Sequence, residues 1–310
     1  MIQYKKTING ILTEQDTAGD GVWIHLLNPT RDELDRVCCE TGAQLDLLQA
    51  ALDEEETPRL ERDDDQALIL VDIPVVQPEG TSFMYNTIPL GILLMDKAVI
   101  TVCLEETTII DDFLESRVRL FDTCKKTRFI LQLLFKSSTK FLQYLRQIDK
   151  ATTQVENALR KNMRNSELMG MLKLEKSLVF FSTSLKSNEA VLEKLLKPGM
   201  IKQYPEDTDL LEDVIIENKQ AMEMSTIYRD ILTGTMSAFA SMISNSLNNV
   251  MKFLTAVTII IAVPTLIASL WGMNVPVPFQ NSGIGFWVLA GFSVAGAALT
   301  MYILWRRKML

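Results

Sequence analysis

The sequence predicts an α+β domain, then one very long α-helix, then a C-terminal hairpin of two membrane-spanning helices. Three observations support this order. Strand-like apolar runs occur only within residues 1–110. Helical stripes fill a stretch between Pro89 and Pro198 that has no proline. Two later stretches, 253–273 and 282–305, contain no charged residue.

The first 110 residues read as a mixed α/β domain. Four apolar, β-branched-rich runs indicate strands, at residues 21–27, 67–76, 87–95 and 98–103. Between the first two runs, Asn28 or Thr30 can cap a helix that Gly42 can end. A second short helix is expected over 43–55.

Residues 111–205 indicate two long helices packed as a hairpin. Two stripes with helical spacing favour this arrangement: Leu134, Ser138, Phe141, Leu145, Ile148, Thr152, Val155 and Leu159, then Met171, Leu174, Leu178, Phe181, Leu185, Leu192 and Leu195. The turn between them is predicted near residues 164–170.

A third long helix is predicted from about residue 206 to 271. Pro205 suits a first helical turn, and acidic residues follow it at the positive end of the helix dipole. Gly234 and Pro264 only weaken or bend such a helix. At 1.5 Å per residue it would be roughly 100 Å long. It therefore needs packing partners along its length.

Both uncharged stretches exceed the roughly 20 residues that span a bilayer. Lys252 precedes the first, and Arg306, Arg307 and Lys308 follow the second. Positive residues remain on the cytoplasmic side, so both ends are predicted to be cytoplasmic and the uncharged loop 274–281 external. This topology predicts a multi-pass protein of the cell (inner or plasma) membrane.

Composition excludes several functions. A net charge of -8 and a pI of 4.9 disfavour nucleic acid as a partner. No phosphate loop, HExxH zinc motif or nucleophile elbow is present, so no enzyme is predicted. The four cysteines lack metal-ligand spacing and are expected to be reduced thiols. The single histidine, His25, is expected to be structural, and residues 1–20 do not resemble a signal peptide.

Small and polar residues form a stripe along the first span and the helix before it. They recur at steps of 7, 3, 4, 3 and 4, at Asn248, Thr255, Thr258, Ala262, Thr265 and Ser269. This face could line a water-filled path if several chains assembled around an axis. The alternative is that the hydroxyls bond their own backbone and the small residues mediate helix contact.

The segment Gly272-Met273-Asn274, between two spans and before a basic tail, resembles the CorA family of magnesium and cobalt transporters. The stretches "WIHLLNPT", "TPRLERDDD" and "YRDILTGTMSAFASMISNSLNNVMKFLT" are also similar to that family. The resemblance covers the whole chain, strongly from about residue 225 and loosely before it.

The resemblance implies a funnel-shaped homopentamer in the lipid bilayer that passes divalent cations. The long helices would form the stalk and pore, and the second spans an outer ring. It implies a selectivity filter at Gly272, Met273 and Asn274, where Asn274 would hold the hydrated metal ion. It also implies a pore lined by Asn248, Met251, Leu254, Thr258, Ala262 and Thr265. Met251 and Leu254 would form an apolar constriction. No cofactor is implied beyond transported or regulatory Mg²⁺.

Three departures from the family pattern matter. Trp271 stands where tyrosine is usual, and loop 274–281 lacks the acidic residue of many relatives. Ser237 stands where relatives have an aspartate that helps bind regulatory Mg²⁺. The acidic segment 53–65 could serve as a sensor instead, through Asp63, Asp64 and Asp65, although a solvated loop or helix face is the more ordinary expectation.

The predicted division of the chain is 1–110, 111–205, 206–273, 274–281, 282–305 and 306–310. The predicted function is a channel-like transporter mainly for Mg²⁺, with Co²⁺ or Ni²⁺ also carried. Two alternatives stay open: the zinc-transporting branch of the same family, and a membrane-anchored signalling or scaffold protein. The last predicts no ion flux.

Overall fold

The computed structural model describes residues 1–63, 65–79, 82–161, 165–197, 199, 201–202, 204–274 and 283–307. The chain divides into two compact units, Met1–Thr233 and Gly234–Leu310.

The first unit contains a sheet and the helices that cover it. Its strands are β1 (Ile2–Ile8), β2 (Ile11–Gln15), β3 (Val22–Leu27), β4 (Arg59–Asp63), β5 (Gln66–Glu79), β6 (Ser82–Leu94) and β7 (Ala98–Cys103). Its short helices are α1 (Arg31–Thr41), α2 (Leu45–Gln49), a 3₁₀ turn (Ala50–Leu52) and α3 (Thr108–Leu114). The long helices are α4 (Lys126–Lys161), α5 (Asn165–Leu195) and α6 (Pro205–Trp271), of which α6 continues into the second unit.

The seven strands form one sheet in the order β2-β1-β3-β7-β6-β5-β4. β3 and β7 pair in parallel, from Val22↔Ala98 to Leu27↔Cys103, and the other neighbours pair antiparallel. These two central strands are buried on both faces. That burial explains why their sequences are continuous apolar runs rather than alternating ones.

Two hydrophobic cores lie on opposite faces of the sheet. One contains Trp23 and Val99 and packs under α3, α4, α5 and the start of α6. The other contains the neighbouring Ile24 and Ile100 and packs under α1 and α2. Successive strand residues point to opposite faces, so both cores draw on the same two strands. The α+β prediction is confirmed.

The helix boundaries follow the predicted signals. Thr30 caps α1 in a capping box with Glu33, and Gly42 ends it with φ of 77°. The α4 and α5 stripes are largely buried, as predicted. The turn predicted near 164–170 is wrong for residues 165–170, which belong to α5, and residue 164 lies outside the described residues. The helix predicted over 206–271 is confirmed as α6.

Several features differ from the sequence interpretation, among them the short helix α3, which the sequence analysis did not predict. The acidic segment is not simply a loop or helix face, because Arg59–Asp63 form the edge strand β4, whose polar side chains point to solvent. The hairpin of β1 and β2 was not predicted. His25 is buried as expected, and all four cysteines are free.

Candidate ion-conduction site

The second unit contains the end of α6 and helix α7 (Gly283–Arg306). Both helices are long and apolar enough to cross a membrane. Only 6% of the apolar stretch in either one is buried within the chain. A core helix of a soluble protein would be mostly buried, so these surfaces suit lipid or other copies of the chain.

The candidate pore residues share one face of α6. At about 100° per residue they fall within an arc of about 120°. All of them are exposed in the single chain: Asn248, Met251, Leu254, Thr258, Ala262 and Thr265. Met251 and Leu254 are each 64% exposed, similar to other apolar residues of this part of α6 such as Phe253 and Leu266.

The opposite side of α6 packs on α7. A Cβ added to Gly296 would lie 3.0 Å from Val263 Cγ1 and 3.6 Å from Ile267 Cδ1. On the helical wheel, Val263 and Ile267 lie about 140–180° from Thr258. The candidate pore face therefore points away from α7. No pattern in the sequence had singled out Gly296, because a single glycine among many small residues of α7 carries no distinctive signal.

The hydroxyls on the candidate face bond their own helix. Thr258 Oγ1 donates to the Leu254 carbonyl and Thr265 Oγ1 donates to the Ile261 carbonyl, both at 2.9 Å. The alternative prediction, that these hydroxyls bond the backbone of their own helix, is therefore confirmed. A hydroxyl that donates inward still keeps acceptor lone pairs, so the face can present oxygen atoms to water.

The candidate filter follows the last turn of α6. The Gly272 N–H donates to the Ala268 carbonyl at 3.0 Å and so closes the helix. Met273 and Asn274 are exposed beyond it. The loop of residues 275–281 and the beginning of the predicted second span at 282 lie outside the described residues, as does Lys308 of the predicted basic tail.

Of the three aspartates proposed as an acidic sensor, Asp63 accepts a side-chain hydrogen bond. Gln44 Nε2 donates to Asp63 Oδ2 at 2.6 Å. Asp65 lines a cavity of about 560 Å³ with other acidic residues, among them Asp20 and Asp96. Asp64 lies outside the described residues. Within the described ranges no three His, Cys, Asp or Glu side chains come close enough to hold a metal ion.

Burial keeps two titratable groups in the first unit's core, His25 and Cys103, neutral. Burial lowers the pKa of His25 to about 4 and raises the pKa of Cys103 to about 11. Both residues are therefore uncharged at neutral pH, as packed core residues should be. The candidate pore face and filter contain no ionisable side chain.

The chain combines an α/β unit, a very long helix and an apolar two-helix hairpin whose candidate pore face is uncharged. This combination is typical of a class of membrane transport protein. The family model described as "CorA-like Mg2+ transporter protein" matches residues 18–307. The chain belongs to this family, the CorA family of divalent cation transporters. It is a multi-pass protein of the cell membrane with a cytoplasmic N-terminal unit.

Individual relatives agree with the family. The chain is 28% identical to the cobalt/magnesium transport protein CorA of Methanocaldococcus jannaschii, over 91% of this chain and 89% of that protein. It superposes on the complete structure of the CorA magnesium transporter from that organism with a TM-score of 0.84 and 26% identity. That match covers 98% of this chain and 96% of the other.

A more distant structure shares the fold alone. The cytoplasmic domain of ZntB from Vibrio parahaemolyticus matches with a TM-score of 0.60 at 12% identity, over 79% of this chain and 97% of that one. The family assignment confirms the expected resemblance. It also makes the chain a member of a transporter family rather than an enzyme family.

Proposed function

We propose that five copies of this chain form a funnel-shaped channel that passes hydrated Mg²⁺ into or out of the cytoplasm, with Co²⁺ or Ni²⁺ also accepted. The α6 helices surround the path and the α7 helices form an outer ring. The path is lined by the candidate pore face, and Gly272, Met273 and Asn274 form the filter at its outer mouth.

One observation carries this proposal. The candidate face of α6 is exposed and lies opposite the side that packs on Gly296 of α7. A two-helix hairpin cannot enclose water by itself. Several copies arranged around an axis would place α7 outside and turn the uncharged oxygen-bearing face inward.

The chemistry of the face suits a hydrated dication. Mg²⁺ gives up its water reluctantly and is often held through its waters. Neutral amide and hydroxyl oxygens can accept hydrogen bonds from those waters without the strong binding of a carboxylate ring. Conduction requires such weak sites. A potential of 100 mV adds about 4.6 kcal/mol of driving force for a double charge.

The filter is tested by uptake into liposomes that contain the purified full-length protein. We expect Asn274→Ala to lower the initial rate of Mg²⁺ uptake at least tenfold, because the ring of carboxamides at the mouth is removed. Trp271→Tyr is the matched control, since it keeps an aromatic group one turn away and should leave uptake unchanged. Equal uptake by wild type and Asn274→Ala would reject the filter.

The same assay separates the alternatives. Uptake of Zn²⁺ well above that of Mg²⁺ and Co²⁺ would favour the zinc-transporting branch. Absence of flux for all three ions would favour a signalling or scaffold role. A regulatory role of Mg²⁺ at Asp63, Asp64 and Asp65 stays a hypothesis, and it predicts that replacing all three by asparagine weakens inhibition of uptake by internal Mg²⁺.

A further inference from the structure

Between Leu211 and Leu232, α6 carries two buried polar residues in an otherwise apolar stripe. The stripe has the 3-4 spacing of a helix seam and consists of Leu211, Val214, Asn218, Ala221, Ser225 and Leu232. Asn218 is 2% exposed and Ser225 is fully buried. The two are seven residues apart, so they occupy the same position in successive heptads.

Both polar side chains bond the backbone of α5. Asn218 Nδ2 donates to the Leu185 carbonyl, and Ser225 Oγ donates to the Leu178 carbonyl, each at 3.1 Å. The two acceptors are also seven residues apart, and their order shows that α5 and α6 run antiparallel. In a helix each carbonyl already accepts one N–H from the next turn, so these bonds use its second lone pair.

A second set of hydrogen bonds joins α5 to the sheet. Asn188 accepts from the Asp72 N–H at 2.9 Å and donates to the Asp72 carbonyl at 2.8 Å. Ser184 Oγ donates to Thr87 Oγ1 at 2.9 Å. These polar contacts fix α5 along its axis against β5 and β6. A bond from α5 to α6 therefore ties α6 to the sheet as well.

Two other polar contacts described between α5 and α6 lie nearer the surface. Lys219 Nζ lies 3.8 Å from Glu189 Oε1, and Thr233 Oγ1 donates to Glu175 Oε1 at 3.0 Å. Side chains near the surface can follow a small shift of the helix, and a partly exposed ion pair such as Lys219–Glu189 contributes little. The buried pair cannot adapt in this way.

Buried polar groups in a helix seam are known to specify register. Leucine, valine and alanine side chains have no directional requirement, so an apolar seam tolerates a shift more readily. A shift by part of a turn, whose full length is about 5.4 Å, would move both donors away from their carbonyls at once. It would leave an amide and a hydroxyl buried without partners, which is costly.

We propose that Asn218 and Ser225 are positioning residues that set the axial register of α6 on α5. The same helix continues to the candidate pore face, and we expect a change of this register to alter ion flux. The effect on ion flux rests on the proposed function, whereas the effect on register does not.

The test uses the full-length protein in liposomes. The double variant Asn218→Leu/Ser225→Ala keeps the seam filled but removes both bonds. Thr226→Val is the matched control, because Thr226 Oγ1 donates to the Met222 carbonyl of its own helix at 3.0 Å. Spin labels are placed on cysteines introduced at the exposed positions Lys186 and Gln220, in a background without the native cysteines and diluted among unlabelled subunits.

We expect one narrow label-to-label distance in the wild type and in Thr226→Val. The double variant should give a broadened distance, or one displaced by about 5 Å, the length of one turn. Its initial Mg²⁺ uptake should differ from wild type by threefold or more, while Thr226→Val stays unchanged. If the double variant does not fold, each single variant, which loses one bond, is measured in the same way.

A narrow, unchanged distance in the double variant would overturn the register assignment. A changed distance with unchanged uptake would overturn the link to ion flux. Absence of uptake by the wild type would instead reject the proposed function, and the distance measurement would still decide the register.

Discussion

At the scale of single residues, His25 shows how burial decides a chemical role. Trp23 Nε1 donates to Thr101 Oγ1 at 2.8 Å, and His25 Nδ1 lies 3.0 Å from the same oxygen. The Thr101 hydroxyl thus accepts from the indole N–H and also lies within hydrogen-bonding distance of the imidazole, so both buried rings have a polar partner. The neutral ring is thus a satisfied core residue.

The buried histidine predicts a specific dependence of stability on pH. Its pKa is about 4 when folded and roughly 6.5 when unfolded, so the unfolded chain binds more protons between these values. Stability is therefore lost as the pH falls through this window. For one such group the loss from pH 7 to pH 5 is about 2 kcal/mol. The measurement is the free energy of unfolding of the purified protein at both pH values.

The control for this prediction is His25→Gln, which cannot titrate there. It should be less stable than wild type at pH 7 but should lose about 2 kcal/mol less on going to pH 5. Equal losses in the two proteins would show that the imidazole is not kept neutral by the fold.

At the scale of elements, the predictable and unpredictable parts of the fold differ in burial. Central strands such as "AVITVC" are buried on both faces, so their sequences alone identify them. β1 and β2 lie at one end of the sheet, are half exposed and mix charged with apolar residues, which hides them. Their turn did carry a signal: Asn9 and Gly10 adopt φ of 51° and 79°, the conformation that favours Asn-Gly in tight hairpins.

The close approach of α6 and α7 at Gly296 predicts a steric effect of larger side chains. Even a Cβ there would lie 3.0 Å from Val263 Cγ1, so Gly296→Leu must push the helices apart. Overpacking of this kind costs about 1–3 kcal/mol. We expect a lower temperature of thermal unfolding in detergent and reduced Mg²⁺ uptake.

Gly291 offers the matched control on the same helix. It is exposed, and an added Cβ would have no atom within 4 Å. Gly291→Leu should therefore leave unfolding and uptake close to wild type. Equal effects of the two substitutions would mean that Gly296 does not determine how closely the helices pack.

At the scale of the whole molecule, a single chain places the pore residues but cannot close a pore. The sequence identified the stripe containing Thr258, Ala262 and Thr265, and the structure exposes these residues on one face of α6. In a pore, these residues would face the same residues of other copies of the chain. Neither the spacing of residues in the sequence nor the structure of one chain can show such contacts. The role of Met251 and Leu254 as a constriction came from the family resemblance and not from their apolar character, since apolar residues are ordinary in a membrane span.

The assembled channel makes a prediction that a lone helix does not. Rings of Met251 and Leu254 would exclude water from a narrow path, and a dry segment blocks hydrated ions. Replacing both by asparagine would wet that segment, so we expect the basal rate of Mg²⁺ uptake into liposomes to rise several-fold. The membrane potential drives this leak, because a double charge gains about 4.6 kcal/mol per 100 mV. Leu254→Met keeps the ring apolar and should not raise uptake; a similar rise in that control, or none in the asparagine variant, would place the barrier elsewhere on α6.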